Sequence, residues 1–304
     1  MKMPQISILM TTYNGAAYVE EQLATLQAQT LPFFELLISD DGSTDGTCDR
    51  LHAFRRAHPD QRIQIFDGPQ MGVSKNIWSL LSRASEQSDF IAICDQDDIW
   101  MPHKLMRAAS KLAGIDGPAL YGSRAIYCDA SGQPNGSSFH LRHPPGFRNA
   151  LVQNIISGNS IVMNRAAFNI VARSNVCGHI FDWYIYQLLS GAGAEIIHDP
   201  QPSFYYRQHS RNQIGANSGL RARLRRIGQA LTGQYKDWNE ANITALQRDY
   251  ALLDEEGRKK LEAFLTLRKL RGRAAIQELR RIRLYRQGPL GQLGLYVTAY
   301  LGRI

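Results

Sequence analysis

Three carboxylates stand together in the segment Asp95-Gln96-Asp97-Asp98, directly after the apolar run at residues 90–94. A short apolar run bounded by polar residues predicts a buried strand. Carboxylates this close repel one another unless a cation lies among them. Mg²⁺ prefers oxygen ligands and is usually held by one or two carboxylates together with substrate phosphates. The segment therefore indicates a divalent-cation site, Mg²⁺ or Mn²⁺, with an acidic surface turn as the alternative.

Two further predicted strands also end in residues that can bind a ligand. Residues 6–12 run into the turn signal Asn14-Gly15, and residues 34–39 run into an acidic, glycine-rich loop. Within that loop, helix capping is the better interpretation for Asp40 and Asp45.

The strands of this first part of the chain alternate with helices. Apolar side chains recur at helical spacing in residues 17–29 and 72–84, and residues 63–66 form a third predicted strand. Such alternation predicts a mostly parallel sheet with right-handed crossovers. Ligands of open α/β sheets bind beyond the carboxyl ends of the strands. We therefore expect one crevice of nucleotide size, lined by Thr11, Tyr13, Asp40, Asp41, Asp95 and Asp97.

Three motifs, in order along residues 6–105, carry a resemblance to a known family. They are Thr-Thr-Tyr-Asn-Gly, Ser-Asp-Asp-Gly-Ser-Thr-Asp-Gly-Thr and Asp-Gln-Asp-Asp-Ile-Trp-Met-Pro. Together they resemble the inverting glycosyltransferases of family 2, which have the GT-A fold. The similarity covers about residues 4–215. Its later part, Phe-Asp-Trp-Tyr at 181–184 and Tyr-Arg-Gln-His at 206–209, resembles the rhamnosyltransferase branch.

The resemblance implies an architecture for the whole chain. An α/β GT-A domain, with a mostly parallel central sheet flanked by helices, is expected at residues 1–217. Residues 1–105 are then the nucleotide-binding half and residues 106–217 the acceptor-binding half. A basic helical region is expected at residues 218–304.

The resemblance also implies roles around the nucleotide and the metal. From its residue type, Tyr13 is expected to stack on a pyrimidine base, and the alternative is a half-buried aromatic residue of the turn. The resemblance implies that Asp41 accepts a hydrogen bond from the N3–H of the base and that Thr11 lies beside the base. Asp95 is expected to reach the ribose or a metal-bound water, and Asp97 to ligate the metal directly. Two further positions follow by resemblance, with Lys75 near the nucleotide and His209 as a third metal ligand or else a structural loop histidine.

Asp182 is the candidate general base. Inversion requires a carboxylate that accepts the proton of the acceptor hydroxyl, and the aromatic neighbours of Asp182 are expected to desolvate it. The alternative is an Asp that caps the helix predicted at residues 183–189. Trp183 and Tyr186 form either an acceptor platform or part of the core. Gly158 and Asn159 form either a loop near the sugar or a tight turn before a strand.

Charge is concentrated at one end of the chain. The 304 residues carry 35 Lys/Arg and 27 Asp/Glu, a net charge of +8. Residues 221–304 hold 18 Lys/Arg against 8 Asp/Glu, a balance of +10, whereas the remainder holds 17 against 19.

In this basic region, helices are predicted at 219–231, 237–253 and 258–287. Basic amphipathic helices suit an anionic membrane surface, and the alternatives are packing on the catalytic domain or on a second subunit of a homo-oligomer. Nucleic acid is not an expected partner, because no nucleic-acid motif accompanies the charge.

The predicted cellular location rests on three kinds of segment that we do not find in the sequence. Met1-Lys2-Met3-Pro4 leads straight into a strand, so we expect no secretory leader. No apolar stretch reaches the roughly 18–20 residues of a spanning helix, and the four cysteines show neither zinc nor disulfide spacing. The expected location is the cytoplasm or the inner face of the cell membrane.

The sequence thus predicts a metal-dependent inverting glycosyltransferase. It would move a hexose or deoxyhexose, with rhamnose favoured by the resemblance, from a UDP- or dTDP-sugar to a growing surface polysaccharide or lipid-linked saccharide. One alternative is a nucleotidyltransferase, although residues 11–17 lack the Gly-rich phosphate loop with basic residues that this would require. The other is a catalytically silent subunit that binds sugar nucleotides. The sugar and the linkage cannot be read from sequence, because pockets for related hexoses differ by few contacts.

Overall fold

The computed structural model describes residues 3–174, 178–209 and 234–304, which form two compact units. The first unit comprises residues 3–139, 156–173 and 197–209. The second comprises residues 140–155, 174, 178–196 and 234–304. The predicted boundary at residues 217/218, the predicted helix 219–231 and Cys177 lie outside the described residues.

Four parallel strands form one half of the sheet. They are β1 (Ile6–Thr12), β2 (Glu35–Asp40), β3 (Ile63–Asp67) and β4 (Phe90–Asp95), in the order β3-β2-β1-β4. Every residue of β1 and β2 is buried, as expected for strands covered by helices on both faces. This half confirms the parallel sheet predicted from the alternating pattern.

The other half of the sheet is mixed. It contains β5 (Ile99–Trp100), β6 (Ala119–Cys128), β7 (Pro134–Ser137), β8 (Val162–Asn164) and β9 (Glu195–Arg207). The order continues β4-β8-β6-β9-β5, with β7 beside β6. β8 is antiparallel to both β4 and β6, and β5 is antiparallel to β9. Antiparallel pairing at β5 and β9 joins the segment after the Asp-X-Asp motif to the strand that ends at Arg207.

Eleven α-helices lie within the described residues, and they pack through the apolar faces that the sequence shows. For example, α1 buries Val19, Leu23 and Leu26, which are spaced along one face. The helices are α1 (Val19–Gln27), α2 (Thr47–Ala57), α3 (Val73–Leu81), α4 (Lys104–Leu112), α5 (Phe147–Ala150), α6 (Arg165–Ala172), α7 (Phe181–Gly191), α8 (Gln234–Arg248), α9 (Glu255–Lys269), α10 (Gly272–Arg281) and α11 (Pro289–Tyr300).

In the second unit, α9 begins very close to the end of α7. The Asp254 carboxylate caps α9 by accepting a hydrogen bond from the Gly257 N–H (2.5 Å), and the Asp254 N–H donates to the Gly191 carbonyl (3.1 Å). A Cβ at position 257 would lie 1.9 Å from the Gly191 oxygen. Because no side chain fits in this gap, the two helices can meet here only with glycine at position 257.

The C-terminal helices differ from the prediction in their number and bounds. The helix predicted at residues 258–287 is two helices, α9 and α10, and a third, α11, follows. Leu270 and Arg271 are extended, and Gly272 has φ +62°, so the helical hydrogen-bond ladder cannot continue through them. Within the described ranges, no helix is both long and apolar enough to cross a membrane.

Candidate active site

The ends of β1, β2 and β4 bring the predicted site residues of the first unit together. In the parallel register Thr11 pairs with Asp95 on one side and with Ser39 on the other, and Thr12 pairs with Asp40. Thr11 is buried, and its backbone forms the centre of this edge. The convergence expected from three separate sequence segments is therefore present.

Asp40 is not a helix cap, contrary to the expectation from sequence. Its carboxylate accepts hydrogen bonds from the Thr12 hydroxyl (2.7 Å) and from the Ser43 N–H (2.7 Å) and hydroxyl (2.6 Å). Burial opposes its ionisation, but the hydrogen bonds from Ser43 and Thr12 outweigh burial and lower the pKa of Asp40. The N-cap of α2 is Gly46, at φ 87°. Asp40 therefore holds the loop after β2 in place.

Asp45, the other expected cap, does contact the start of α2. Its carboxylate accepts hydrogen bonds from the N–H (3.2 Å) and hydroxyl (2.5 Å) of Thr47. Its second oxygen accepts from the Ala16 N–H (3.1 Å). Asp45 thus also ties the loop after β1 to the loop after β2.

Asp41, the predicted acceptor for the base, binds backbone amides. One carboxylate oxygen accepts from the Gln70 N–H (2.6 Å) and the other from the Gly72 N–H (2.8 Å). These bonds fix the turn that starts α3, where Lys75 lies exposed in the first helical turn. Each carboxylate oxygen retains a second lone pair, so the predicted contact with a base N3–H remains chemically possible.

Tyr13 stands at the surface beside a residue that the sequence interpretation missed. Tyr13 is 58% exposed, so its ring is accessible to a ligand. Gln96, between the two carboxylates, accepts from the Tyr13 N–H and donates to the Tyr13 carbonyl, both at 2.9 Å. A Cβ at Gly15 would lie 2.1 Å from the Gln96 Oε1. The side-chain amide of Gln96 thus extends the pairing of β4 with β1 by one residue, and it positions Tyr13.

Asp97 and His209 meet at the end of β4, although 112 residues separate them. The His209 Nε2 lies 2.8 Å from an Asp97 carboxylate oxygen, and the imidazole stacks on the Tyr18 ring at 4.8 Å. Both side chains are partly buried, at 11% and 16% exposure. Their proximity fits the prediction that these two residues act together.

Arg207 brings His209 to this position. The Arg207 guanidinium is buried, donates to the Asp97 carbonyl (3.0 Å) and the Ala130 carbonyl (2.7 Å), and forms an ion pair with Glu21. Its planar fork joins the end of β9 to the turn after β4. The sequence signal was its place in the Tyr-Arg-Gln-His segment, in which only the histidine had been given a role.

The donor set at the end of β4 suits a divalent cation. Carboxylate oxygens favour Mg²⁺ or Mn²⁺, and imidazole nitrogen is a common ligand of transition metals, so an Asp–His pair fits Mn²⁺ and related ions. Across residues 3–174, 178–209 and 234–304, no group of three or more His, Cys, Asp or Glu residues is arranged to hold a metal. Mg²⁺ in proteins is usually held by one or two carboxylates together with substrate phosphates, and a pair of protein ligands is compatible with such an ion.

A buried polar cluster lies directly behind this pair. The Asp98 carboxylate accepts from the Asn159 side-chain amide (2.7 Å), and the Asn159 carbonyl accepts from the Lys104 ammonium (2.9 Å). Burial, with the charges of Asp97 and Asp95, raises the pKa of Asp98 well above its usual range. Burial lowers the pKa of Lys104 to about 8, against the opposing effect of Asp98. Through the hydrogen bond from Asn159 to Asp98, this cluster holds the Asp-X-Asp turn in position.

The position of Asn159 decides between two interpretations of its segment. Gly158 and Asn159 form a 3₁₀ turn, and both are buried. Because the Asn159 side chain contacts Asp98, the structure favours the tight turn before β8 over a loop that contacts the sugar.

Asp182 lies in the second unit, in the first turn of α7. The N-cap of this helix is Ile180, so Asp182 is not the cap that the alternative proposed. Its carboxylate accepts from the Trp183 N–H at 2.7 Å. The aromatic residues on either side, Phe181 and Trp183, are buried, whereas Asp182 is partly exposed. A partly exposed carboxylate next to buried aromatic residues can act as a proton acceptor.

Trp183 and Tyr186 belong to the core of the second unit and not to an acceptor platform. The Trp183 indole N–H donates to the Ala150 carbonyl (2.7 Å), and the Tyr186 hydroxyl bonds to Gly146 and Asn149 (both 3.1 Å). Trp183 is 5% exposed and Tyr186 is fully buried. Helical periodicity cannot distinguish a buried aromatic residue from one that faces a ligand. Here the packing shows that both aromatic residues are buried.

Residues 7–173, more than half of the chain, match the family described as Glycosyl transferase family 2. The chain belongs to this family. It is 30% identical over 241 residues to the dTDP-rhamnosyl transferase RfbG of Shigella flexneri, which covers 75% of this chain and 81% of that protein. Family membership makes the protein a glycosyltransferase and excludes the nucleotidyltransferase alternative.

Two solved structures share the GT-A fold of this glycosyltransferase. The mannosyltransferase PcManGT of Pyrobaculum calidifontis, solved with GDP-Man and Mn²⁺, aligns over 99% of this chain and 87% of its own, with a TM-score of 0.56 and 16% identity. TarS 1-349 of S. aureus, solved with UDP-GlcNAc, aligns over 91% and 90%, with a TM-score of 0.55 and 15% identity. At this identity they establish the fold.

Proposed function

We propose that this glycosyltransferase is metal-dependent and inverting. It transfers a sugar, with rhamnose favoured, from a dTDP- or UDP-sugar to a saccharide or lipid-linked saccharide in surface polysaccharide synthesis. The observation that carries the proposal is the Asp97–His209 pair at the end of β4, on the same sheet edge as the exposed ring of Tyr13. The similarity to a dTDP-rhamnosyl transferase supports the choice of sugar.

The donor nucleotide is proposed to bind along the ends of β1, β2 and β4. Tyr13 stacks on the base and Thr11 lies beside it, while Asp41 accepts from N3–H through a free lone pair. Asp95 contacts the ribose or a water. Lys75, exposed on α3, contributes positive charge near the nucleotide without the bidentate geometry of an arginine.

The diphosphate is proposed to bind at Asp97. Asp97 and His209 would hold a divalent cation, with Asp95 close by, and the cation would stabilise the negative charge that develops on the departing diphosphate. The residues behind the pair keep it in place: Arg207 binds the Asp97 backbone, and Asn159 binds Asp98. Such a supporting shell preserves ligand orientation before the donor arrives.

Asp182 is the proposed general base. The acceptor hydroxyl oxygen forms a bond to the anomeric carbon while the bond to the diphosphate oxygen breaks, and the hydroxyl proton passes to the Asp182 carboxylate. Attack from the face opposite the leaving group inverts the anomeric configuration. Asp199, an alternative carboxylate for this role, is already bound by Arg107 and Tyr121.

The experiment that tests this function is calorimetric binding of UDP and dTDP to Asp97→Ala, with and without Mn²⁺. We expect Mn²⁺ to strengthen nucleotide binding by the wild-type protein and to have no effect on the variant. Asp60→Ala, at an exposed position after α2, is the control and should behave as wild type. Metal-enhanced binding that persists in Asp97→Ala would overturn the metal assignment.

The proposed place of action is the cytoplasmic face of the cell membrane. A lipid-linked acceptor is confined to that surface, and the excess of positive charge in residues 221–304 favours an anionic surface.

A further inference from the structure

Large apolar side chains are exposed in one place above all others. Among the described residues, ten large apolar side chains are exposed, and five of them lie within residues 290–301. Their exposed fractions are 74% for Leu290, 60% for Leu293, 44% for Val297, 55% for Tyr300 and 43% for Leu301. Contiguous exposed apolar surface marks an interaction site more often than scattered single residues do.

Four of these residues lie on one face of α11, and Leu301, the C-cap of the helix, continues that face. Their spacing from Leu290 is three, seven, ten and eleven residues, which places them along a single helical stripe. The opposite side of the helix buries Leu295 and Ala299 in the second unit. The polar side chains of α11 are already bonded, since Gln292 contacts the Arg286 N–H (2.7 Å) and Thr298 its own helix (2.9 Å). The exposed stripe therefore holds no charged or amide side chain, and the helix is attached through its opposite side, which buries Leu295 and Ala299.

Arginines flank the stripe in the sequence. Residues 270–304 contain seven arginines and one carboxylate residue, Glu278, which is paired with Arg281. No residue of α11 itself is charged. The exposed arginines lie before and after the helix, and the Arg280 guanidinium lies over the Tyr296 ring at 5.7 Å. An apolar stripe with an arginine border, meaning the arginines before and after the helix, has the composition of a segment that lies in a lipid interface.

Length excludes a helix that crosses the bilayer. Twelve residues extend for about 18 Å, whereas the hydrocarbon core is about 30 Å thick. A helix that lies parallel to the surface and enters the headgroup boundary needs no greater length.

We propose that the exposed face of α11, residues Leu290, Leu293, Val297, Tyr300 and Leu301, docks on an anionic phospholipid bilayer. The apolar side chains enter the boundary between headgroups and acyl chains, and the surrounding arginines bind lipid phosphates. A second copy of the chain fits less well, because facing copies would bring two arginine borders together. This assignment does not depend on the identity of the donor sugar.

Vesicle flotation of the full chain tests the docking face. We expect binding to phosphatidylcholine vesicles with about one third phosphatidylglycerol, and little binding to phosphatidylcholine alone. The variant L290Q/L293Q/V297Q should bind about tenfold to a hundredfold more weakly, since three apolar side chains no longer enter the interface. The matched control M3Q/M106Q/F139Q changes three exposed apolar side chains of the first unit and should bind as wild type.

Charge is tested separately from apolar contact. R280Q/R283Q/R303Q should weaken binding about fivefold for each arginine at low salt, and the loss should shrink at high salt. R55Q/R56Q/R173Q, three exposed arginines of the first unit, is the control. Donor hydrolysis without vesicles should be unchanged in all variants, which separates failure of docking from failure of the proposed transfer.

Two results would overturn the proposal. One is wild-type protein that does not float with anionic vesicles at low salt. The other is equal vesicle binding by L290Q/L293Q/V297Q and its control. Sedimentation velocity adds a third: a wild-type dimer that the L290Q/L293Q/V297Q variant converts to a monomer, without vesicle binding by either, would assign the stripe to a contact between copies.

Discussion

Gln96 offers a test of how the strand ends assemble the proposed donor site. Its side chain makes two hydrogen bonds of 2.9 Å to the backbone of Tyr13, and it leads directly into Asp97. Gln96→Ala removes both bonds. Each hydrogen bond contributes about 0.5–1.5 kcal/mol net, and because these are exposed to solvent, the pair contributes about 1–2 kcal/mol to the ordering of the Tyr13 backbone. If donor binding requires this order, affinity for UDP or dTDP should fall about 5- to 30-fold.

The assay is calorimetric titration of UDP and dTDP in Mn²⁺. Gln61→Ala is the matched control, because Gln61 also makes two side-chain hydrogen bonds at the surface, to Gln27 (2.7 and 2.8 Å), before β3. Its affinity should match wild type. Gln96→Glu keeps the acceptor for the Tyr13 N–H but places a carboxylate oxygen against the Tyr13 carbonyl, so it should also bind weakly. Affinity of Gln96→Ala within twofold of wild type, with unchanged melting temperature, would refute this account of Tyr13 positioning.

Three further predictions concern the base, the helix contact and the buried lysine. Asp182→Asn should lower transfer about 10²–10⁴-fold in a product assay with little change in donor affinity, since asparagine keeps the hydrogen bond to the next N–H but accepts no proton. Gly257→Ala should lower the free energy of unfolding in urea by about 2–3 kcal/mol or more, because its methyl group would overlap the Gly191 carbonyl. Burial lowers the pKa of Lys104 to about 8, so from pH 8 to about 10.5 the unfolded chain holds a proton that the folded chain lacks, and stability rises with pH. Lys104→Met should lose this rise, which amounts to at most about 1.4 kcal/mol per pH unit when the two proteins are compared in urea.

Each of these has a clear contrary result. Transfer by Asp182→Asn near the wild-type rate would assign the base to another carboxylate, and the exposed Glu195 would be tested next. Wild-type stability of Gly257→Ala would mean that α7 and α9 can move apart at no cost in free energy. A control glycine must not have a positive φ, because a side chain there strains the backbone by itself, and this excludes Gly46 at φ 87°. Parallel pH profiles for wild type and Lys104→Met between pH 8 and about 10.5 would contradict the lowered pKa of Lys104.

The sequence by itself determined which residues meet at the sheet edge that is proposed to bind the donor. Buried apolar runs define β1, β2 and β4, and parallel pairing aligns their carboxyl ends, so residues after those runs must meet at one edge. Thr11, Tyr13, Asp41 and Asp95 could therefore be placed without coordinates. The motifs were also sufficient to identify the family, because their order along the chain is more specific than any one of them.

Tertiary structure alone decided which other side chains reach that edge. His209 meets Asp97 across 112 residues because Arg207 joins β9 to the turn after β4, and no local pattern encodes this contact. The roles of Gln96 and Asn159 depend in the same way on partners that are distant in sequence. Polar residues of this kind are recognised only when their hydrogen-bond partners are known.

Burial was likewise decided by packing. Trp183 is a residue type that can form an acceptor platform, yet it is buried in the second unit. Leu290 and Leu293 are residue types typical of a core, yet they are exposed. Hydrophobic periodicity states which residues share a face of a helix, but not whether protein covers that face. Because α11 is apolar on two sides and only one of them is covered, the remaining face became visible as a docking surface only in the folded chain.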